Sequence, residues 1–390
     1  MHAARSLGVV TTTSAASPAA CLTPNSTVLI GIGPPRSGTT SLAAAFRATG
    51  SAAAAFISVA SAPMGGKTCC GSEIYFWNDD KEAKLGISRW CEFFQTTRQT
   101  SLMMEKTPRY TLSRQAPLNV LAHLPLARTR FVFTFRDVSS MSWSIYVHQA
   151  HYKRQTFDEY IEGEKATARE LQSCIEAALS EGAVLPVIPG EALPSLVCRL
   201  SQLSRPNYHA LAEQTRSCPS SELAWFANLA HWSSLVGAPS VLAASLPYAL
   251  VHQADFRKAL LSFTGLSAHM PEEAQDEFVY RENHMNNSIA SAAATAAMSA
   301  TKSRYTAQLE EAGAYFSELN AIPVDTVSDR MWVGHSGRPG DRQRTHSLVA
   351  TGCAHHQLTQ RPGRRAQAAA RRPAHAWDWE AWAREERKVA

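Results

Sequence analysis

Residues 33–40 read Gly-Pro-Pro-Arg-Ser-Gly-Thr-Thr, directly after the apolar, β-branched run Thr27–Ile32 and directly before a helical stretch that Gly50 stops. A turn of this composition wraps an anion. Gly33 and Gly38 permit the tight path, and the N–H groups of residues 37–40 open a helix whose positive dipole end faces the bound charge. Arg36 adds a cation from inside the loop. Against the spacing GxxxxGK[ST], Thr39 stands where a lysine would reach the β and γ phosphates. A nucleoside triphosphate hydrolase would lack its main γ-phosphate cation here. A lone Gly-rich turn after a strand is also an ordinary βα connection, so the weight falls on three further segments.

Phe131–Tyr146 reads as a buried strand ending in Arg136-Asp137 and leading into a helix. Arg136 can grip a phosphate bidentately, and Ser144 follows about two helical turns later. Arg136 pairing with Asp137 at a strand end is the plainer alternative. Lys106, in Glu105-Lys-Thr-Pro-Arg-Tyr110, ends a run expected at the carboxyl edge of a sheet, where ligands collect in open α/β folds. Glu73, in Glu73-Ile-Tyr-Phe-Trp-Asn-Asp-Asp80, is the first carboxylate of the chain and a candidate proton acceptor; the alternative is a solvated loop carboxylate.

These residues need strand ends to hold them. Thr27–Ile32, Leu102–Glu105, Arg130–Phe135 and Tyr248–Val251 are short apolar runs of the buried-strand kind, each followed by helical spacing. The expected fold class is α/β, a P-loop-type three-layer arrangement with a central parallel sheet flanked by helices. Trp225, Leu229 and Trp232 share a helical face, a pattern that is usually plain core. Residues 164–222 break the rhythm with mixed helical and Pro-containing sequence and read as an insertion on the same domain. The domain is expected to run from 27 to about 325.

The chain has 390 residues, 45% of them apolar and 18% charged, which is ample for a buried core and excludes disorder throughout. No stretch approaches the roughly 20 apolar residues that span a bilayer. The net charge of +5 is unevenly spread: residues 1–72 hold four basic residues and no acid, residues 331–390 hold ten Arg and one Lys against five acids, and the middle is acidic. A nucleic-acid binder should carry its excess on the folded surface instead, so no nucleic-acid partner is expected. Residues 1–26, rich in Ala, Ser and Thr, read as an organelle transit peptide or a plain disordered end; Leu7–Val10 is too short for the core of a secretory signal. Residues 326–390 read as a basic, disordered tail, with Trp377, Trp379 and Trp382 as a conceivable docking helix. The eight cysteines show no CxxC spacing and no metal site is expected.

The segments together resemble the sulfotransferases that use PAPS (3′-phosphoadenosine 5′-phosphosulfate), in the family's order and near its spacing. Gly33–Leu42 resembles the 5′-phosphosulfate loop, so Arg36, Ser37, Gly38, Thr39 and Thr40 are implied to hold that end. Phe131–Tyr146 resembles the 3′-phosphate element, with Arg136 and Ser144 on one phosphate, although Val138 replaces the family's usual Pro. Glu105–Tyr110 is similar to the EKTPxY element of the heparan-type carbohydrate branch. Pro108 stands where the cytosolic branch carries its histidine base. Glu73–Asp80 is similar to the KExHFF segment of the heparan 3-O branch, which makes Glu73 the implied base; Ser72 and Tyr75 replace the family's Lys and His. The resemblance is close over 27–150 and loose over 223–320. Tyr248–Asp255 resembles the last core strand, and Phe278–Asn287 lies where cofactor-closing residues are found.

The resemblance implies sulfuryl transfer from PAPS, with Glu73, Lys106 and Arg36 as the catalytic set and a glycan or small hydroxyl compound as acceptor. A P-loop small-molecule kinase is one alternative, disfavoured by Thr39. A catalytically silent PAPS-binding protein is the other. The resemblance implies a Golgi lumenal setting, yet no membrane anchor is seen in this chain, which leaves the cytosol or an organelle open. Sequons at Asn25 and Asn286 would suit a lumen. Cys174, Cys198 and Cys218 could form disulfides there, with pairing unspecified by spacing. Oligomeric state is not readable.

Overall fold

A computed structural model describes residues 21–22, 26–48, 54–56, 73–94, 96, 100–153, 155–182, 185–188, 190–251, 253–266, 305–320, 332–333 and 353. Strands β1 (Thr27–Ile32), β2 (Ala54–Phe56), β3 (Leu102–Lys106), β4 (Thr129–Phe135), β5 (Val241–Ser245) and β6 (Trp332–Val333) form one sheet in the order β2-β3-β1-β4-β5-β6. All neighbours pair in parallel except β5 and β6. From β1 the chain goes to the outer strand β2, returns to β3 beside β1, and then crosses to β4 and β5 on the other side. The crevice at the carboxyl ends of β3, β1 and β4 is thus the topological switch point, where such sheets bind ligands.

Both sheet faces are apolar, which is why the strands read as continuous hydrophobic runs rather than alternating ones. Val28, Ile30 and Ile32 of β1 belong to one core cluster with Phe131, Phe133 and Phe135 of β4; Leu29 belongs to the other with Val132 and Leu242. That alternation is the period of two of a strand. On the second face pack α1 (Thr39–Ala48), through Leu42 and Phe46, and α11 (Gln253–Thr264), through Phe256 and Leu260. On the first pack α4 (Ala116–His123) and α9 (Trp225–Val236). Trp225 stacks on Phe135 with centroids 4.5 Å apart, and Trp232 lies 5.3 Å from Phe131. The tryptophan stripe is core.

The expected strand at Tyr248–Val251 is corrected. The strand is β5, Val241–Ser245, and Leu246–Val251 is the helix α10. VLAAS is Ala-rich and carries one β-branched residue, so its local propensity hides a strand that only pairing with β4 selects. Pro247, near the start of α10, suits a first helical turn, where its missing N–H costs nothing.

Helices α5 (Val138–Lys153) and α6 (Phe157–Gly182) are followed by α7 (Leu193–Leu200) and α8 (Arg205–Gln214). Residues 164–222 therefore fold as helices whose Leu171, Leu179, Leu196 and Leu211 join the same core cluster as β1 and β4. Buried Arg114 ties them further to the sheet side: it donates to Thr215 O at 3.2 Å and lies 3.2 Å from His231 Nδ1 of α9. The last described helix, α12 (Thr306–Leu319), packs on α5, where Ser139 Oγ donates to Leu309 O at 3.3 Å.

Disulfides join Cys21 to Cys91, Cys174 to Cys218, and Cys198 to Cys353. Two of them, and β6, engage residues from the segments 1–26 and 326–390 that the sequence reads as unstructured ends. Composition alone does not reveal a lone cysteine pairing or a two-residue strand. The tryptophans at 377–382, Phe278–Asn287, Cys69, Cys70 and both sequon asparagines lie outside the described residues. Among the described residues no helix is long and apolar enough to cross a membrane.

Candidate active site

Every candidate residue sits at or beside the carboxyl end of β1, β3 or β4, or on the helices that follow. The loop after β1 is held open from within. Ser37 Oγ donates to Pro34 O at 2.6 Å and lies 2.9 Å from Thr134 Oγ1 of β4, while Gly33 N donates to Thr111 Oγ1 at 2.6 Å. Gly33 has φ 153°, and a Cβ there would stand 2.5 Å from Thr134 O, so no other residue fits. The hydroxyl of Ser37 is thus a buried brace for the loop, turned away from its mouth. Thr39 is buried as well, and Thr40 is exposed. Leu42 N donates to Gly38 O at 3.0 Å, and the N–H groups that open α1 ahead of it lie at the loop.

Arg36 and Tyr75 are the non-glycine residues with positive φ among those described, at 66° and 54°. Strained backbone of this kind persists where the surroundings over-determine it, and it clusters at functional sites. Both residues belong to the candidate site. Arg36 Nε donates to Ser144 Oγ at 3.0 Å, across 108 residues of sequence. The loop cation and the serine of α5 are therefore direct neighbours.

Lys106, at the end of β3, is almost wholly buried, and its ammonium donates to Thr40 Oγ1 at 2.9 Å. It also forms an ion pair with Glu73, whose other oxygen accepts from Tyr75 Oη at 2.7 Å. Tyr75, which stands in place of a histidine in the resemblance, is thus the residue that orients the carboxylate. Lys106 is seated by β1: its Cβ approaches to 3.0 Å the point where a Cβ on Gly31 would lie, and Gly31 O accepts from Thr107 N at 3.2 Å.

Arg136 is buried at the end of β4. Asp137 Oδ1 accepts from Ser140 N at 2.7 Å, so its carboxylate caps α5. That geometry gives Asp137 an occupation of its own beside Arg136.

His148, which the sequence reading did not single out, lies near the candidate residues. It lies one helical turn after Ser144 on α5, and a helix already expected there placed both on one face. Its pKa is held below the ordinary histidine value by partial burial and then by the Arg36 cation, with Glu73 opposing. It stands within the electrostatic reach of both.

Behind Lys106 lies a second group of contacts. Glu105 is fully buried and accepts from Trp90 Nε1 at 2.7 Å, from Thr107 Oγ1 at 3.2 Å and from Tyr110 Oη. Burial pushes its carboxyl up to about 7, against the lowering effect of these donors. Among the described residues no cluster of three His, Cys, Asp or Glu side chains could hold a metal.

The arrangement can bind anions at the loop and beside Arg136, and it places a carboxylate against a shared ammonium. No protein-family model matches this sequence, and no curated protein matches it. Among solved structures the chain is similar to a sulfotransferase from Alicyclobacillus acidocaldarius, at 13% identity and a TM-score of 0.38, over 79% of this chain and 100% of that one. A likeness of that strength carries no argument about activity; the α/β fold rests on the topology described above.

Proposed function

We propose that the chain is a sulfotransferase that moves the sulfuryl group of PAPS to a hydroxyl or amine of a carbohydrate acceptor. The observation that carries this reading is the seat of Lys106, whose ammonium touches both Thr40 of the anion loop and the Glu73 carboxylate. In-line transfer between two oxygens is served by a cation beside the donor's leaving oxygen and a base beside the acceptor, and Lys106 and Glu73 put the two side by side.

The residues present suit the donor. The Gly33 cradle, the opening turn of α1 and Arg36 match a 5′-phosphosulfate; Arg136, with Ser144 beyond it, matches a 3′-phosphate. PAPS, when bound, supplies the activated sulfuryl group. Glu73 takes the acceptor's proton as the sulfur–oxygen bond to the phosphate breaks and the bond to the acceptor forms. Arg36 and Lys106 neutralise the charge that grows on the departing bisphosphate. Tyr75 keeps the Glu73 carboxylate aimed while Lys106 shifts toward the leaving oxygen. The helices of residues 164–222 and the loops after the strands are where acceptor choice would be read.

Three disulfides support an oxidising compartment as the working environment, in keeping with a secretory lumen.

Calorimetry with adenosine 3′,5′-bisphosphate is the first test. Absence of binding to the folded chain would overturn the donor assignment. Radiolabelled PAPS with a panel of glycans and small hydroxyl compounds follows, repeated with Arg36→Ala and Glu73→Gln. We expect transfer by the wild type and losses of about 100-fold or more in each variant. One observation favours a second reading, a PAPS-binding protein without turnover: Arg36 and both oxygens of Glu73 already hold partners within the chain. Bisphosphate binding with no transfer to any acceptor would support that reading.

A further inference from the structure

We infer that Glu105 is a positioning residue, a buried carboxylate that seats the Lys106–Glu73 pair by holding three separate elements of the site in one hydrogen-bonded hub. The inference rests on the reading of that pair as the reacting centre.

The hub is defined by its connections. Glu105 is the strand neighbour of Lys106, so the two side chains leave β3 on opposite faces. Lys106 turns to Thr40 and Glu73, while Glu105 turns to Trp90, Thr107 and Tyr110. Tyr110 Oη accepts in turn from Trp77 N at 3.3 Å, in the 3-10 turn Phe76–Asn78 that directly follows Glu73 and Tyr75. Tyr110 also lies in the 3-10 turn Pro108–Leu112, whose Thr111 holds Gly33 N of the anion loop. Trp90 belongs to α3 (Gly86–Cys91). One carboxylate thereby links the Lys106 strand end, the Glu73 loop and the anion loop.

The chemistry of the donors says which form of Glu105 the hub is built for. An indole N–H can only donate, and two hydroxyls converge on the same group. The indole of Trp77 faces it too without closing a hydrogen bond. Such an array matches a carboxylate, which only accepts. A protonated acid would have to direct its own O–H at one of these hydroxyls. If that partner is Tyr110, whose oxygen already accepts from Trp77 N, its proton loses its acceptor and the link to the Glu73 loop is rearranged.

The surroundings leave the titration of this group distinct. Tyr110 is the titratable group in contact with it, and burial and the Glu105 charge raise its pKa far above the ordinary value. On α3, Arg89 pairs with Glu92. Arg109 of the Pro108–Leu112 turn is exposed, and His123 of α4 stacks on Trp77 with ring centroids 5.9 Å apart. Lys106 faces Thr40 and Glu73. The position of the Glu105 carboxyl near 7 therefore predicts that the hub's hydrogen bonds rearrange, with no loss of overall stability, as pH falls through neutrality.

The test follows the ¹⁵N-labelled full chain between pH 5.5 and 8.5. The indole N–H resonance of Trp90, assigned by its loss in Trp90→Phe, should shift with an inflection near 7, and in Glu105→Gln it should stay fixed. The Lys106 ammonium resonance should differ between wild type and Glu105→Gln. In transfer assays wild-type kcat should fall on the acid side with the same inflection and little change in KM. Glu105→Gln should be pH-flat over that range at a kcat lowered about tenfold or more. Tyr110→Phe, which keeps the ring and cuts the link to Trp77, should lower kcat similarly at pH 8, and it carries the test if the Gln variant does not fold. A wild-type rate in either variant, or a Trp90 resonance that does not titrate, overturns the inference. If the wild type transfers nothing to any acceptor, the sulfotransferase reading fails, and the two resonances alone decide the hub: an unchanged Lys106 signal in Glu105→Gln sinks it.

Discussion

Replacing Lys106 by Met separates the two duties assigned to it, because the ion pair with Glu73 bears on stability and the contact with the anion loop bears on rate. The Lys106 side chain is 2% exposed and that of Glu73 12%. Removing the cation strands a carboxylate that is nearly buried. A fully buried pair broken in this way costs about 3–5 kcal/mol. Here Glu73 keeps the Tyr75 hydroxyl and has an opening to water, so the cost should settle at about 1–3 kcal/mol. Met fills the volume of the lysine stem, which keeps a cavity contribution small. The second change, Glu73→Gln on top of Lys106→Met, removes the stranded charge, and about the same 1–3 kcal/mol should return. Activity must not return with it. Loss of a cation on the departing phosphate should cost on the order of 3 kcal/mol in the barrier, about 100-fold in kcat, and loss of the base costs more. Denaturant melts of the four chains of the double-mutant cycle measure the first quantity, and single-turnover transfer from radiolabelled PAPS measures the second. A Lys106→Met chain as stable as wild type, or a double variant no more stable than the single, would show that the pair contributes nothing to the fold and refute the argument. A double variant that regains transfer would refute the roles.

Glu105 makes stability depend on pH with a known sign. Its carboxyl titrates higher in the folded chain than in the unfolded one, so the stabilising contribution is full below about 4.5 and is lost as pH rises through about 7, on the order of 3 kcal/mol in all; denaturation midpoints across that window should slope downward in wild type relative to Glu105→Gln, and parallel curves would refute it. A Cβ at Gly313 of α12 would collide with Ser139 Oγ of α5. Gly313→Ala should lower stability by about 1–3 kcal/mol, and Ser139→Ala added to it should recover most of that in thermal melts; no recovery would mean the two helices part for another reason. The Cys198–Cys353 bridge closes 155 residues and Cys174–Cys218 closes 44, so opening the first should cost about 1 kcal/mol more than opening the second in the chain-entropy account; the reverse order for Cys198→Ser and Cys174→Ser would refute that account here.

What the sequence made legible was local. The strand–turn–helix of residues 27–48 could be read because its glycines, its preceding strand and its following helix lie within about twenty residues, and each position has one physical reason for its residue type. Arg136 and Lys106 could be read as strand-end cations for the same reason. The contacts that turn these residues into a site could not be read. Arg36 meets Ser144 across 108 positions and Lys106 meets Glu73 across 33, and both encounters depend on the strand order. Residues 164–222 read as an insertion on the same domain, but which of their side chains meet the sheet is set by packing alone, which puts Leu171 and Leu211 in one core with β1. Glu105 carries no signal of a role in the sequence beyond its place in Glu105–Tyr110. Its partners are neutral residues at 77, 90, 107 and 110, and neutral donors scattered over thirty positions leave no charge pattern to notice.

The same sheet order explains why the Glu105 hub and the Lys106–Glu73 pair had to be built together. β3 lies beside β1, roughly 4.8 Å away, and β4 lies on the other side. Across β1 Lys106 is level with Val132, and Arg136 stands four residues further along the β4 direction, so the two begin roughly 16 Å apart, a spacing that suits an extended ligand with an anionic group at each end better than one small anion. A cation at the end of β3 can serve such a ligand only if the strand end is fixed, and β3 has short β2, Ala54–Phe56, as its outer neighbour, pairing only as far as Met104. Glu105 and Lys106 lie beyond that pairing. On that side, the carboxylate of Glu105, reaching through Tyr110 to the Glu73 loop, takes over where strand pairing stops.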